Sequence, residues 1–263
     1  AMGSVLASGI TSLIFVWLLF SNRLVIRFSR TMAYRPDWQI IRQLFRFGLP
    51  AGFQGIVMNL GGLLMLRYIG ALPFSAQAQG VYSVGYTQLF SLITWTSHGL
   101  LGAATVMAGQ NLGAGHPDRV VRSTHITASL GLGLAGLVGT AFIFIPELLL
   151  ALFGMTEDTV VALGRELLRY LAISGLFVTV AMTYTGALQG TGDTRGPFYI
   201  SIVSQLIVPV GLCTVLQAVR GLESTDIWLA IVLGHMTRCL LSILRFRQGH
   251  WRRIAVDIGS AQL

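Results

Sequence analysis

The sequence predicts an all-α fold: a polytopic transmembrane helix bundle of seven spans. Three observations predict it. Only 11% of the 263 residues are charged, against about 25% in ordinary globular chains. Mean hydropathy is +0.71. The few charges are also segregated: residues 1–22, 47–66, 68–117, 123–146, 170–192, 196–219 and 227–237 contain no Asp, Glu, Lys or Arg. A spanning helix needs roughly 20 mostly apolar residues. A cytosolic enzyme, a secreted disulfide scaffold, a disordered tail and one large soluble core are all excluded.

The first span is expected at 5–21, preceded by residues 1–4, which read as native chain or tag remnant. The front end lacks the basic region and cleavage site of a signal peptide; the first residue is Ala and an apolar segment begins almost at once, so the chain reads as part of something longer or as carrying tag residues at 1–4. Residues 22–46 follow, with Arg23, Arg27, Arg30, Arg35, Arg42 and Arg46. Within them, 37–47 is amphipathic: Trp38, Ile41, Leu44 and Phe45 fall at helical spacing, and the stretch is expected to lie in the membrane interface. The second span is expected at 47–69. The uncharged run 68–117 is too long for one helix, and Pro73, Ser75, Gln77 and Gln79 place a polar turn within 70–80. The third span then covers 81–108 and the fourth 124–145. In the fourth, Gly131, Ala135 and Gly139 recur every four residues, giving a smooth face for close helix packing or for a ligand. Gly99 and Ala103 repeat that pattern in the third. The fifth span, 169–189, extends outward to a start at Thr156–Glu157–Asp158, the sixth covers 198–218, and the seventh, 226–246, starts at Ser224–Thr225–Asp226.

Charge assigns sidedness. Alternate connections collect 13 arginines on one side and four on the other, leaving Arg238 inside the last span. The positive-inside rule puts the arginine-rich side in the cytoplasm, the N-terminus outside and the C-terminus inside. The net charge of +8 is therefore a topology record, and no nucleic-acid partner is expected; the lipid bilayer is. Lysine is absent, so no Schiff base to retinal or pyridoxal can form. Cys213 and Cys239 lie in apolar segments and read as small core residues.

Ionisable groups at membrane depth are functional candidates. No Asp or Glu sits in mid-span; His98, His125, His235 and Arg238 lie within or near apolar stretches. His235 and Arg238 share a helix face. Arg238 either snorkels to the cytoplasmic end or packs, or takes part in coupling. His98 follows Thr94, Trp95, Thr96 and Ser97, a cluster that lines a cavity or satisfies hydrogen bonds between helices. Gln54, Asn59, Trp95, His98, Met182 and Gln205 are the candidate cavity-lining residues. Pro50 and Pro209 interrupt apolar spans and permit bending. No paired carboxylate at membrane depth, no metal-ligand cluster and no GxSxG motif is present, so no catalytic residue, metal or organic cofactor is expected.

Two turns carry a resemblance: 108–118, AGQNLGAGHPD, closing the third span, and 185–197, TGALQGTGDTRGP, between the fifth and sixth. Their marked residues are Gly109, Gln110, Gly113, Gly115, Gly186, Gly190, Gly192, Asp193 and Arg195. Asp193 and Arg195 cap the sixth span, pair with a neighbouring loop, or make a gating contact. With Gly48, Leu49 and Pro50 opening the second span, these turns resemble the multidrug and toxic compound extrusion (MATE) transporters.

The resemblance implies the last helix of a missing N-terminal lobe at 1–22, an inter-lobe connection at 23–46, a six-helix C-terminal lobe at 47–250 and a cytoplasmic tail at 251–263. It implies export of cationic or amphipathic drugs across an inner membrane, in exchange for Na⁺ or H⁺, by alternating access against the N-terminal lobe. Acids that some members carry near Val57–Asn59 and near Val178 are absent, so the coupling ion is expected mainly in the missing lobe. Flipping of lipid-linked oligosaccharides and a non-transporting half are the alternatives.

Overall fold

The computed structural model describes residues 2–21 and 36–254, and every element among them is helical. The arginines at 23, 27, 30 and 35, and the tail beyond 254, lie outside the described residues. The chain divides into two units between Arg42 and Gln43. In the first, α1 (Met2–Phe20) exposes Leu13, Phe15 and Trp17 alike, as suits a helix whose solvent is lipid.

Six helical segments are long and apolar enough to cross a membrane: Trp38–Gly70, Ser75–Gly113, Pro117–Phe144, Asp158–Gly190, Arg195–Val219 and Ser224–Arg247; the apolar part of α1, Val5–Phe20, is shorter. Helix α2 (Trp38–Gly70) begins where Asp37 Oδ1 accepts the N–H groups of Gln39 and Ile40, at 2.8 and 3.2 Å. The amphipathic stretch expected as a separate interfacial helix is thus continuous with the second span, and Gly48 and Pro50 lie inside it. In hydrocarbon the helix is the one local way to satisfy the backbone, so these weak formers are carried along. The polar turn follows Gly70, and Gln77 and Gln79 join the next helix.

That span is composite: α3 (Ser75–Tyr82), a π-helical stretch (Ser83–Leu89) and α4 (Ser91–Gly113). Pro117 in the first turn and Asp118 beside it start α5 (Pro117–Phe144). The short α6 (Pro146–Ala151) leads to α7 (Asp158–Gly190), which starts at the expected cap, although Glu157 accepts from the Thr159 hydroxyl and not from the backbone. Helix α7 is the spine, with 83% of its most apolar stretch buried. Against it α5 lays the expected smooth face: a Cβ on Gly139 would stand 3.5 Å from the Ala172 Cα, and one on Gly131 would overlap Thr179. Gly99 and Ala103 behave differently. They are exposed, and α4 meets α7 through Ile93, Ser97, Leu101 and Thr105.

The sixth span is composite as well: α8 (Arg195–Ile202), a π-helical stretch (Val203–Ile207) and α9 (Val208–Val219). Pro209 explains the wide turn. It donates no N–H, and its ring would collide with the carbonyl four residues earlier. The displaced carbonyls of Ser204 and Gln205 press on neighbouring helices, where a Cβ on Gly234 or Gly61 would come within 2.6 Å of them. Helix α10 (Ser224–Arg247) opens with a capping box between Glu223 and Asp226. The 3₁₀ turn His250–Arg253 folds back: Trp251 is buried, donates to the Phe246 carbonyl at 2.8 Å and stacks on the Phe246 ring. Trp251 thus packs into a hydrophobic cluster with Phe246, while Arg252 and Arg253 are exposed. Cys213 and Cys239 are buried free thiols.

Candidate functional site

The two glycine-rich turns lie side by side in the seam between α4 and α7. A Cβ on Gly186 would overlap the Leu101 carbonyl, one on Gly190 the Thr105 carbonyl, and one on Gly109 would stand 3.0 Å from the Gly190 carbonyl oxygen. Gly115 and Gly192 turn the chain with φ of 76° and 91°. Gly113 meets nothing within 4 Å, and Gln110 and Arg195 are exposed. Asp193, 4% exposed, accepts from the Gly196 N–H at 3.0 Å and from Arg245 Nε at 2.7 Å. It caps the sixth span and pairs with the seventh at once.

Deeper in the lobe, a cavity of about 410 Å³ opens between α2, the π stretch before α4, the π stretch before α9, and α10. Met58, Leu63, Met65, Leu66 and Ile231 form an apolar wall; Tyr82, Tyr86, Asn59, Thr87, Ser204, Gln205 and His235 supply polar atoms. Tyr82 stacks on Tyr86 at 4.9 Å, and the His235 ring lies against Tyr86 and Phe90 at 6.5 and 6.0 Å. Among the described residues, no carboxylate lines it.

Of the six cavity candidates, the structure brings Asn59 and Gln205 together on this wall. Asn59 is anchored by donating to the Gly55 carbonyl at 2.9 Å. Gln54 lies elsewhere, in a buried chain: Gln189 donates to it at 2.8 Å, and it donates to Ser201 at 2.9 Å. It ties α2 to α7 and α8, the helices on either side of the second turn. Met182 belongs to the hydrophobic core around α7. Trp95, 75% exposed, and His98, whose Nδ1 bonds the Thr94 carbonyl of its own helix at 2.7 Å, face out of the lobe, their rings 6.0 Å apart. Within the 94–98 cluster, Ser97 makes the contact between helices, to Thr179 at 2.8 Å. Tyr82 and Tyr86 escape sequence reasoning, although two tyrosines four residues apart in an uncharged run mark one helix face. Gly61 and Gly234 escape it because their partners are carbonyls displaced by Pro209.

Residues 50–215 match the MatE family. The chain belongs to the MatE family. A probable multidrug resistance protein NorM of Thermotoga maritima is 24% identical over 221 residues, which are 84% of this chain and 47% of that protein. Another of the same name, from Xanthomonas axonopodis pv. citri, is 29% identical over 218 residues, 81% of this chain and 46% of that one. A solved outward-facing multidrug resistance MATE family transporter of the MOP superfamily superposes with a TM-score of 0.84 at 18% identity, over 94% of this chain and 55% of that one. The chain spans about half the length of the curated relatives it matches. MatE is a transporter family and not an enzyme family, and this member is a multi-pass membrane protein. Among the described residues, no group of three or more His, Cys, Asp or Glu is placed to hold a metal ion.

Proposed function

We propose that this chain is the C-terminal half of a multidrug efflux transporter in a bacterial inner membrane, working by alternating access against an N-terminal lobe. The observation that carries the reading is the MatE match over 50–215, with relatives named as multidrug resistance proteins. The lobe's cavity, lined by both apolar and polar side chains, suits amphipathic compounds. Since no carboxylate lines it, the positive charge of a cationic drug and the coupling Na⁺ or H⁺ are assigned to acids of the other lobe. The arginine-rich end, with Arg46, Arg195, Arg245, Arg252 and Arg253, faces the cytoplasm.

Ethidium accumulation tests the export. Cells making this chain together with an N-terminal lobe should retain less ethidium than cells making neither. Unchanged retention overturns drug export and moves attention to lipid-linked substrates.

A further inference from the structure

At the end of the cavity lined by Ser204 and His235, and beyond that lining along α10, lie buried polar atoms without a hydrogen-bond partner among the described residues. Along one face of α10, His235, Arg238 and Ser242 recur at spacings that stack side chains on one stripe, and all are buried. His235 Nδ1, Arg238 Nε and Ser242 Oγ have no hydrogen-bond partner among the described residues, and neither has Ser204 Oγ on the facing π stretch. Arg238 is 3% exposed, so it reaches no membrane surface and does not snorkel. The ion pairs among the described residues use Arg165, Arg220 and Arg245. Arg238 has none. Its electrostatic neighbours are Tyr86 and His235, both of which line the cavity. A guanidinium offers donors only and keeps its charge. Buried without a counter-charge, it is strongly unfavourable unless an anion completes it.

We propose that this end of the cavity is an anion site, in which Arg238, one turn beyond the lining residue His235, holds a compact monovalent anion with donors from Ser204 and His235. The anion is either a halide from solution or the carboxylate of an amphipathic compound whose apolar body lies on the wall of Met58, Met65 and Ile231. In the second case the inference rests on the export reading above.

Equilibrium dialysis of the purified full chain in lipid nanodiscs, with radiolabelled chloride and then octanoate, tests the site. Wild type should show saturable binding. Arg238→Met should weaken it at least about tenfold, equivalent to about 1.4 kcal/mol; Arg238→Lys should restore part of the loss. Ser204→Ala, which removes one hydroxyl and no charge, should weaken it roughly fivefold. Chloride binding that octanoate leaves untouched assigns a halide; competition between them assigns the carboxylate. Absence of saturable binding of either anion, or equal affinity in Arg238→Met, overturns the site. Should Arg238→Met not elute as a folded species, unchanged affinity in Ser204→Ala overturns it instead. Dialysis reads no transport: an intact site without ethidium export overturns the export reading, while export without saturable anion binding overturns this one alone.

Discussion

Glycines that look alike in the sequence differ sharply in what they meet. Gly190 lies against the Thr105 carbonyl, whereas Gly113, in the other turn motif, has open space around it. Gly190→Ala is therefore expected to cost about 1–3 kcal/mol through overpacking. Gly113→Ala is expected to be neutral or to stabilise by up to about 1 kcal/mol, because alanine is the better helix former. Melting temperatures of the two variants in one detergent decide it; equal shifts would contradict the close seam. Gln54 makes the complementary point. It bridges Gln189 and Ser201, so Gln54→Leu should lower stability by roughly 0.6–2 kcal/mol per lost bond. Gly115 and Gly192 were legible because a chain reversal at positive φ favours glycine whatever surrounds it; the need for Gly186 and Gly190 came from the facing carbonyls of α4. The role of Gln54 was not legible, since a mid-span amide reads the same whether it faces a ligand or another amide.

At the scale of elements, helix ends and breaks carry the information. The ion pair Asp193–Arg245 joins α8 to α10 with a buried carboxylate, whereas Arg165–Glu147 joins α7 to α6 with both partners about half exposed. Burial decides which matters. Asp193→Asn should cost about 1.5–3 kcal/mol, since a charged hydrogen bond is lost next to a cap. Glu147→Gln should cost under about 1 kcal/mol and lose even that at high salt. Chemical denaturation of both variants at two salt concentrations checks the pair. Spans and their turns could be read from charge-free runs. The π stretches before α4 and α9 could not: a wide turn leaves no composition signature, and Pro209 alone is equally consistent with a simple kink.

For the whole molecule, half the length of the matched relatives is the governing fact. A lobe that rocks needs an opposing lobe. Ethidium export is thus expected from the two lobes made together and not from this chain alone, and export by this chain alone would contradict the half-transporter reading. Sidedness has its own test. A single cysteine near Glu157 should react with an impermeant reagent added outside, and one near Arg119 should not; the reverse pattern inverts the topology.

Composition and charge distribution by themselves determined a multi-pass helical membrane protein and, through two turns, its family resemblance; the arginine bias supplies an expected topology. These properties are local or additive along the chain: each span must satisfy its own backbone in lipid, and each arginine counts wherever it stands. Tertiary structure alone decided which polar groups share a cavity. Asn59, Gln205 and His235 meet because Pro209 widens one helix and Gly61 and Gly234 let its carbonyls in. Trp95 and His98 turn away, and Arg238 is buried without a counter-charge among the described residues. Which way a side chain faces depends on how helices roll against their neighbours, and that rotation is set by packing between residues far apart in the chain.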